Sequence, residues 1–245
     1  MPILGHDLRK KGFEVLDDIQ IINRENNLTL SRLVKVEEHY DLLIDEENDP
    51  FQDNDMMKAY MSRWDGDIFY RYLNLSIDKY VLEVGVGTGR VAENVLKIGC
   101  KNLTGLDISQ KTIDRAKENL RDYDNVRLFK CDIEMFKSEQ KYDLIYSVLT
   151  MMHISNKEIV LKNIVDLLKP NGYVVLAIND KEEWLDFGNR KVRLYPKEPK
   201  YYMELLGRYG CDVHEPIELI DSFAFPKQQE FGQKISTIVR AKKVI

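Results

Sequence analysis

Tyr80-Val-Leu-Glu-Val-Gly-Val-Gly-Thr-Gly89 decides the fold. Its first five residues are a largely apolar run that reads as a strand, and they pass at once into three glycines at alternate positions. Arg90–Ile98 follows, with Val91, Val95 and Ile98 spaced four and three apart on one helical face, and Gly99 as a stop signal. Strand, glycine turn and helix in that order begin a parallel sheet with crossover helices. A side chain at the first glycine would block the tight turn, and one at the second would block a ligand's approach. The third glycine lets helix and strand pack closely.

The rhythm repeats downstream. Leu103–Leu106 is a second strand ending in Asp107, and Ser109 caps a helix with Ile113, Ala116 and Leu120 on its apolar side. Val126–Lys130 alternates as a third strand and ends in Cys131-Asp132. Asp143–Val148 is nearly continuously apolar, as a central strand covered on both faces should be. Ser155-Asn-Lys-Glu158 is a capping box for a helix with Leu161, Ile164, Val165 and Leu168 on one side; Lys169–Gly172 ends it, and Tyr173–Ile178 is a fifth strand. A helix is predicted over Lys200–Tyr209. The runs near Asp212–Leu219 and Ile235–Ala241 leave no room for a crossover helix, so they are predicted to pair antiparallel at the sheet edge.

Residues 1–79 read differently and divide the chain into an N-terminal, mainly helical cap or lid (1–79) and a sheet domain (80–245). Ile19–Asn23 and Leu28–Leu33 flank Arg24-Glu-Asn-Asn27 as a hairpin, and Leu33–Leu73 is helical in pieces. Met56, Met57, Tyr60, Met61 and Trp64 have the spacing of a helix packed on a core. Asp41, Asp45, Glu46, Glu47, Asp49, Asp53 and Asp55 have no Lys or Arg among them; they read either as a solvated loop or as a lid over a site.

Composition narrows the class. The chain has 245 residues, 44% hydrophobic and 31% charged, with 36 basic against 41 acidic side chains for a net charge of −5. That is a folded globular composition, and its mild acidity opposes a general electrostatic grip on nucleic acid or an anionic membrane. No apolar run approaches the roughly 20 residues a bilayer needs, and the N-terminus has no signal-peptide core. Cys100, Cys131 and Cys211 form no CxxC pair, and His6, His39, His153 and His214 make no ligand spacing. No disulfide scaffold or metal site is expected, and a reducing cytoplasm is the expected compartment.

The ligand signal lies at the strand ends. Glu83, Asp107 and Asp132 stand at or beside the carboxyl ends of three successive strands, which in a doubly wound sheet line one crevice. Asp107 follows Gly85 by 22 positions, near the roughly 20-residue offset at which an acidic side chain meets a ribose hydroxyl pair. A pyrophosphate requires G-x-G-x-x-G; here the pattern is G-x-G-x-G, with Glu83 two positions ahead. That charge repels a pyrophosphate and attracts an ammonium, so the residues favour a nucleoside carrying an amino acid over a dinucleotide.

Val81–Arg90, Leu103–Ser109, Lys130-Cys-Asp-Ile-Glu134, Tyr142–Val148 and Leu168–Tyr173 together resemble, in order and spacing, the motifs of class I S-adenosylmethionine-dependent methyltransferases, most closely the small-molecule branch. The resemblance covers about residues 80–180. It implies a Rossmann-like, doubly wound α/β fold with a seven-stranded, mostly parallel sheet whose last strand is antiparallel. It also implies S-adenosylmethionine as cofactor and a small-molecule acceptor. Gly85, Val86 and Gly87 would pass under the methionyl part with Glu83 nearby, and Asp107 would hold both ribose hydroxyls with Ile108 against the adenine. Asp132 would accept from the adenine amino group while Ile133 packs on the ring, and Ser147 would border the methionyl end. The fourth strand carries Ser147-Val-Leu-Thr150 where base-methylating members of the family have an Asp/Asn-Pro-Pro-aromatic tetrad.

His153, just after that strand, is the candidate general base, against a structural role in its loop. Arg63 on a cap helix is placed to meet a cofactor or substrate carboxylate. Trp184, Phe187, Arg190, Arg193 and Tyr195 suit either an acceptor cover or an ordinary edge loop. Two other readings compete: a nicotinamide-dependent oxidoreductase, and a protein that binds S-adenosylmethionine without catalysis. The sequence leaves the acceptor, the methylated atom and the oligomeric state open.

Overall fold

The computed structural model describes residues 2–3, 19–24, 27–220 and 234–244, with side chains from residue 32 onward. In chain order the strands are β1 (Pro2–Ile3), β2 (Ile19–Arg24), β3 (Asn27–Val34), β4 (Tyr80–Val84), β5 (Asn102–Asp107), β6 (Val126–Lys130) and β7 (Tyr142–Val148). They continue as β8 (Leu168–Ile178), β9 (Trp184–Asp186), β10 (Arg190–Arg193), β11 (Cys211–Val213), β12 (Ile217–Ile220) and β13 (Lys234–Lys243). The helices are α1 (Val36–Asp45), α2 (Asp55–Ser62), α3 (Gly66–Leu73), α4 (Arg90–Ile98), α5 (Gln110–Asn119), α6 (Lys157–Leu167) and α7 (Pro199–Arg208).

The main sheet runs β6-β5-β4-β7-β8-β13-β11, with β12 also on β13. β4 to β8 are parallel, and β13 is antiparallel to both β8 and β11. The Asp212–Leu219 run is two strands rather than one, which makes the sheet eight-stranded. Pro216 between them has no N–H to give a ladder. The antiparallel partner is also not at the edge: β13 inserts between β8 and β11. The order reverses between β4 and β7, and in such sheets ligands bind at that switch point, beyond the carboxyl ends.

Alternation along the strands builds both layers. Leu82, Ile145 and Leu176 face Val160, Ile164 and Leu205 of α6 and α7. Their neighbours Val81, Leu144 and Val175 face Phe69, Val91 and Val95 of α3 and α4. No helix among the described residues is long and apolar enough to cross a membrane.

A second sheet, β1-β2-β3-β10-β9, adds a strand layer to the cap's helices. The hairpin forms, with Ile19 opposite Arg32 and Arg24 opposite Asn27. β3 then pairs parallel with β10, Arg32 opposite Arg190 and Val34 opposite Val192. The stretch after β8 is therefore built into the same sheet as the N-terminal hairpin. α2 buries no side chain, and Met56 is 60% exposed, so the methionine stripe is not the core-facing seam its spacing suggested.

Candidate functional site

A cavity of about 480 Å³ lies at the carboxyl ends of β4, β5 and β7 and is roofed by α1. The glycine turn forms its floor, and each glycine has its own reason. Gly85 has φ +78°, and a Cβ there would lie 2.0 Å from Thr150 Oγ1. Gly87, at φ +55°, has nothing within 4 Å of where a Cβ would stand and lines the cavity. A side chain there would occupy ligand space. Gly89 packs against Leu120, as close helix packing requires.

The three strand-end acids differ in state. Asp107 Oδ2 accepts from Gly87 N and Oδ1 from Ser109 N, both at 3.0 Å. Burial pushes its carboxyl pKa up, while those N–H groups and that of Ile108 pull it back. Each oxygen keeps a lone pair for a further donor. Asp132 is on the exposed rim, where Oδ1 accepts from Glu134 N at 2.9 Å, and Ile133 is buried beside it. Glu83 is 1% exposed and accepts from Tyr146 Oη at 2.8 Å. Burial raises its pKa to about 8, against the pull of Tyr146 and Arg90, so the carboxyl is neutral at pH 7.

Arg90, at the start of α4, lines the cavity with its charge already matched. Its two terminal nitrogens donate to Asp65 at 2.8 and 3.3 Å. Asp65 is fully buried and also accepts from Tyr70 Oη at 2.6 Å; Asn94 Nδ2 donates to that phenol at 2.9 Å. Burial works to lower the Arg90 pKa, and Asp65 overcomes it.

His153 ends the short 3₁₀ turn Met151–His153 after β7 and lines the cavity. Its Nε2 lies 2.9 Å from Tyr40 Oη of α1, and its Nδ1 is buried with no hydrogen-bond partner among the described residues. Burial, then the nearby His39 and Lys157, lowers its pKa to about 4. Tyr40 is raised by burial and by Asp107. Local pattern hid this pair because it joins residues far apart in the chain, although Val36, Tyr40, Leu43 and Ile44 do form a helical stripe that lines the roof.

Ser147 and Arg63 are not in the walls. Ser147 is fully buried and donates to Val84 O at 2.9 Å, pinning β7 to β4; Leu149 and Thr150 take the wall position instead. Arg63 stacks on the rings of Tyr60 and Trp64, at 4.0 and 4.8 Å, and donates to Tyr60 Oη. From that helix Met61 reaches the cavity. Arg190 is also no acceptor contact: it is bidentate on Glu46, at 2.6 Å twice, and donates to His39 Nδ1 at 3.1 Å. Of the stretch after β8, Leu185 lines the cavity.

The acidic run is an ionic seam between roof and floor. Asp41 accepts from Ser109 Oγ at 2.6 Å, Asp45 pairs with Lys111 at 2.6 Å, and Asp49 pairs with Arg115 and accepts from Asn119. These carboxylates tie α1 and the loop after it to α5, so this part of the acidic run is not a freely solvated loop.

Burial also depresses His39 to about 4, with Arg190 adding to the effect and Glu46 opposing it. The unfolded chain, with imidazoles near 6.5, then binds more protons between pH 6.5 and 4, so stability is complete above that window and declines as pH falls through it. The histidines' contribution to the melting temperature is expected to be level from pH 8 to 7 and to fall between 6.5 and 5, while Glu83, raised to about 8 in the fold, contributes in the opposite direction and is common to both proteins compared. The double substitution His39→Gln, His153→Gln should flatten that slope; an unchanged slope would contradict the assignment.

Comparison with known proteins agrees with this arrangement. Residues 81–172 match the family model of a methyltransferase domain. Over 107 residues, 43% of the chain, the sequence is 33% identical to a malonyl-[acyl-carrier protein] O-methyltransferase of Ilyobacter polytropus, covering 41% of that protein. Over 178 residues, 69% of the chain, it is 28% identical to a ubiquinone biosynthesis O-methyltransferase of Shewanella pealeana, covering 67% of it. The first of these alignments thus spans less than half of the relative's length. Magnesium protoporphyrin IX methyltransferase of Synechocystis, solved with bound S-adenosylmethionine, shares the fold at a TM-score of 0.62 and 16% identity, over 84% of this chain and 95% of that one. The match to a methyltransferase domain covers residues 81–172, and the fold around it is shared with a methyltransferase solved with bound S-adenosylmethionine.

Proposed function

We propose that the chain binds S-adenosylmethionine across the carboxyl ends of β4, β5 and β6 and transfers its methyl group to a small organic acceptor beneath α1. The observation that carries this is Gly87, open to the cavity, beside Asp107, whose two oxygens are each held by one backbone N–H with a lone pair to spare. Gly85, Val86 and Gly87 would hold the methionyl part, Asp107 the ribose hydroxyls, and Ile108, Asp132 and Ile133 the adenine. The sulfonium supplies a leaving group that is already activated, so methyl transfer needs positioning, exclusion of water and removal of a proton. α1 excludes water, and a proton would leave through the Tyr40 hydroxyl, which lines the cavity, to His153 Nε2 behind it.

Glu83 gives the reading a thermodynamic signature. A ligand ammonium beside it offsets what burial costs its charged form, so Glu83 should ionise as the ligand enters. Calorimetric titration of S-adenosylhomocysteine at pH 7, in buffers of different ionisation enthalpy, is expected to show binding with up to one proton released. Glu83→Gln should bind more weakly and release none. Failure of the unaltered protein to bind would sink the proposal, and displacement of the ligand by NADH would favour an oxidoreductase.

A further inference from the structure

We infer that Asp41, on the roof helix, is a positioning residue for the nucleoside: through Ser109 it fixes the carboxylate of Asp107, so that roof and ribose site act as one unit. This rests on the reading of Asp107 as the ribose contact and adds a residue to the same site.

α1 carries three acids at four-residue steps, Glu37, Asp41 and Asp45, one row over from the Val36, Tyr40 and Ile44 stripe that lines the cavity. The outer two make surface ion pairs. Glu37 meets Lys130, the last residue of β6, at 2.7 Å, and Asp45 meets Lys111, in the first turn of α5, at 2.6 Å. Those four side chains are 43% to 51% exposed, and pairs of that kind contribute little.

The middle acid differs. Ser109 is fully buried, and its hydroxyl donates to Asp41 Oδ1 at 2.6 Å, the length of a charge-assisted bond. A serine hydroxyl has a single hydrogen, so Asp41 takes it, while Oγ accepts from Thr112 N at 3.0 Å. The N–H of the same residue donates to Asp107 Oδ1. Ser109 is thus held by the roof and by α5, and it is one of the two donors that aim Asp107. Asp41 does not line the cavity, so its effect on a nucleoside there runs through Ser109.

Asp41 also acts on Asp107 by charge, in the opposite sense. Burial first, and the Asp41 carboxylate as a smaller contribution, push the Asp107 pKa up. An amide at position 41 separates the two effects, because it keeps an oxygen for Ser109 and drops the charge.

Calorimetric titration of S-adenosylhomocysteine at pH 7 into the full chain tests the link, with a melting curve for each variant. Asp41→Ala is expected to weaken binding about ten-fold, the low end for one hydrogen bond to a charged group. Ser109→Ala should do the same, and the double change should be no weaker than the weaker single one by more than two-fold, since both break one link. Asp41→Asn should bind within two-fold of the unaltered protein or more tightly. Asp45→Ala, which breaks an outer pair on the same helix, should also stay within two-fold. Ser109→Ala loses the cap on Thr112 N as well; if it does not fold, Asp41→Ala, Asp41→Asn and Asp45→Ala decide the matter without it. Binding by Asp41→Ala within two-fold, additive losses in the double variant, or an equal loss in Asp45→Ala each overturn the inference. Failure of the unaltered protein to bind, or undiminished binding by Asp107→Ala, instead overturns the ribose reading beneath it.

Discussion

Asp107→Ala is expected to weaken S-adenosylhomocysteine binding at least 100-fold. Each hydrogen bond to a charged group contributes about 1.5–3 kcal/mol, and two ribose hydroxyls on one carboxylate give about 3–6 kcal/mol, or two to four decades in Kd. The side chain also organises its surroundings, because Gly87 N and Ser109 N both donate to it. Its removal loosens the glycine turn as well as the ribose contact. Isothermal titration of the variant, with its melting curve beside it, separates the two effects. A variant that melts near the unaltered protein and still binds within ten-fold would remove Asp107 from the ribose site.

The second large effect is on stability. Asp65→Ala is expected to destabilise the protein by about 3–5 kcal/mol, since breaking a buried ion pair leaves an uncompensated charge. Here the stranded group is Arg90, 14% exposed, and the Tyr70 hydroxyl loses its acceptor with it. For a chain of this size each kcal/mol corresponds to about 2–4 °C, so the melting temperature should fall by about 6–20 °C. The double change Asp65→Ala, Arg90→Met should recover much of the loss, because no buried charge is then left unpaired. A double variant as unstable as the single one would show that Asp65 acts through packing rather than through Arg90.

The sheet was legible because its cues are local. The Gly85–Gly89 turn, the Ser109 cap and the apolar run Asp143–Val148 each declare themselves within a few residues, whereas the cap of α6 falls on Asn156 and not on the expected Ser155. The strand-end acids were legible for the same reason: a parallel sheet places successive carboxyl ends side by side whatever lies elsewhere. What escaped depends on contacts between distant segments. Parallel pairing of Arg32 with Arg190 leaves no trace in either strand's pattern. Nor does the approach of Tyr40 to His153, or the choice of Asp65 by Arg90. Ser147 and Arg63 show the converse failure, where a position beside a motif satisfied its polar group locally and turned away from the cavity.

The place of β13 in the main sheet bears on how the molecule is made. It is synthesised after β4 to β12, yet it lies between β8 and β11, paired with β8 from Tyr173 to Ile178. During translation β8 therefore presents an unpaired edge, and β11 and β12 have nowhere to dock until β13 has left the ribosome. The glycine turn and Asp107, carried by β4, α4 and β5, can take shape long before that. A nascent chain would thus complete the glycine turn and the β4–β5 pairing while β8 still waits for its partner, so the cleft at the carboxyl ends takes shape before the far side of the sheet closes.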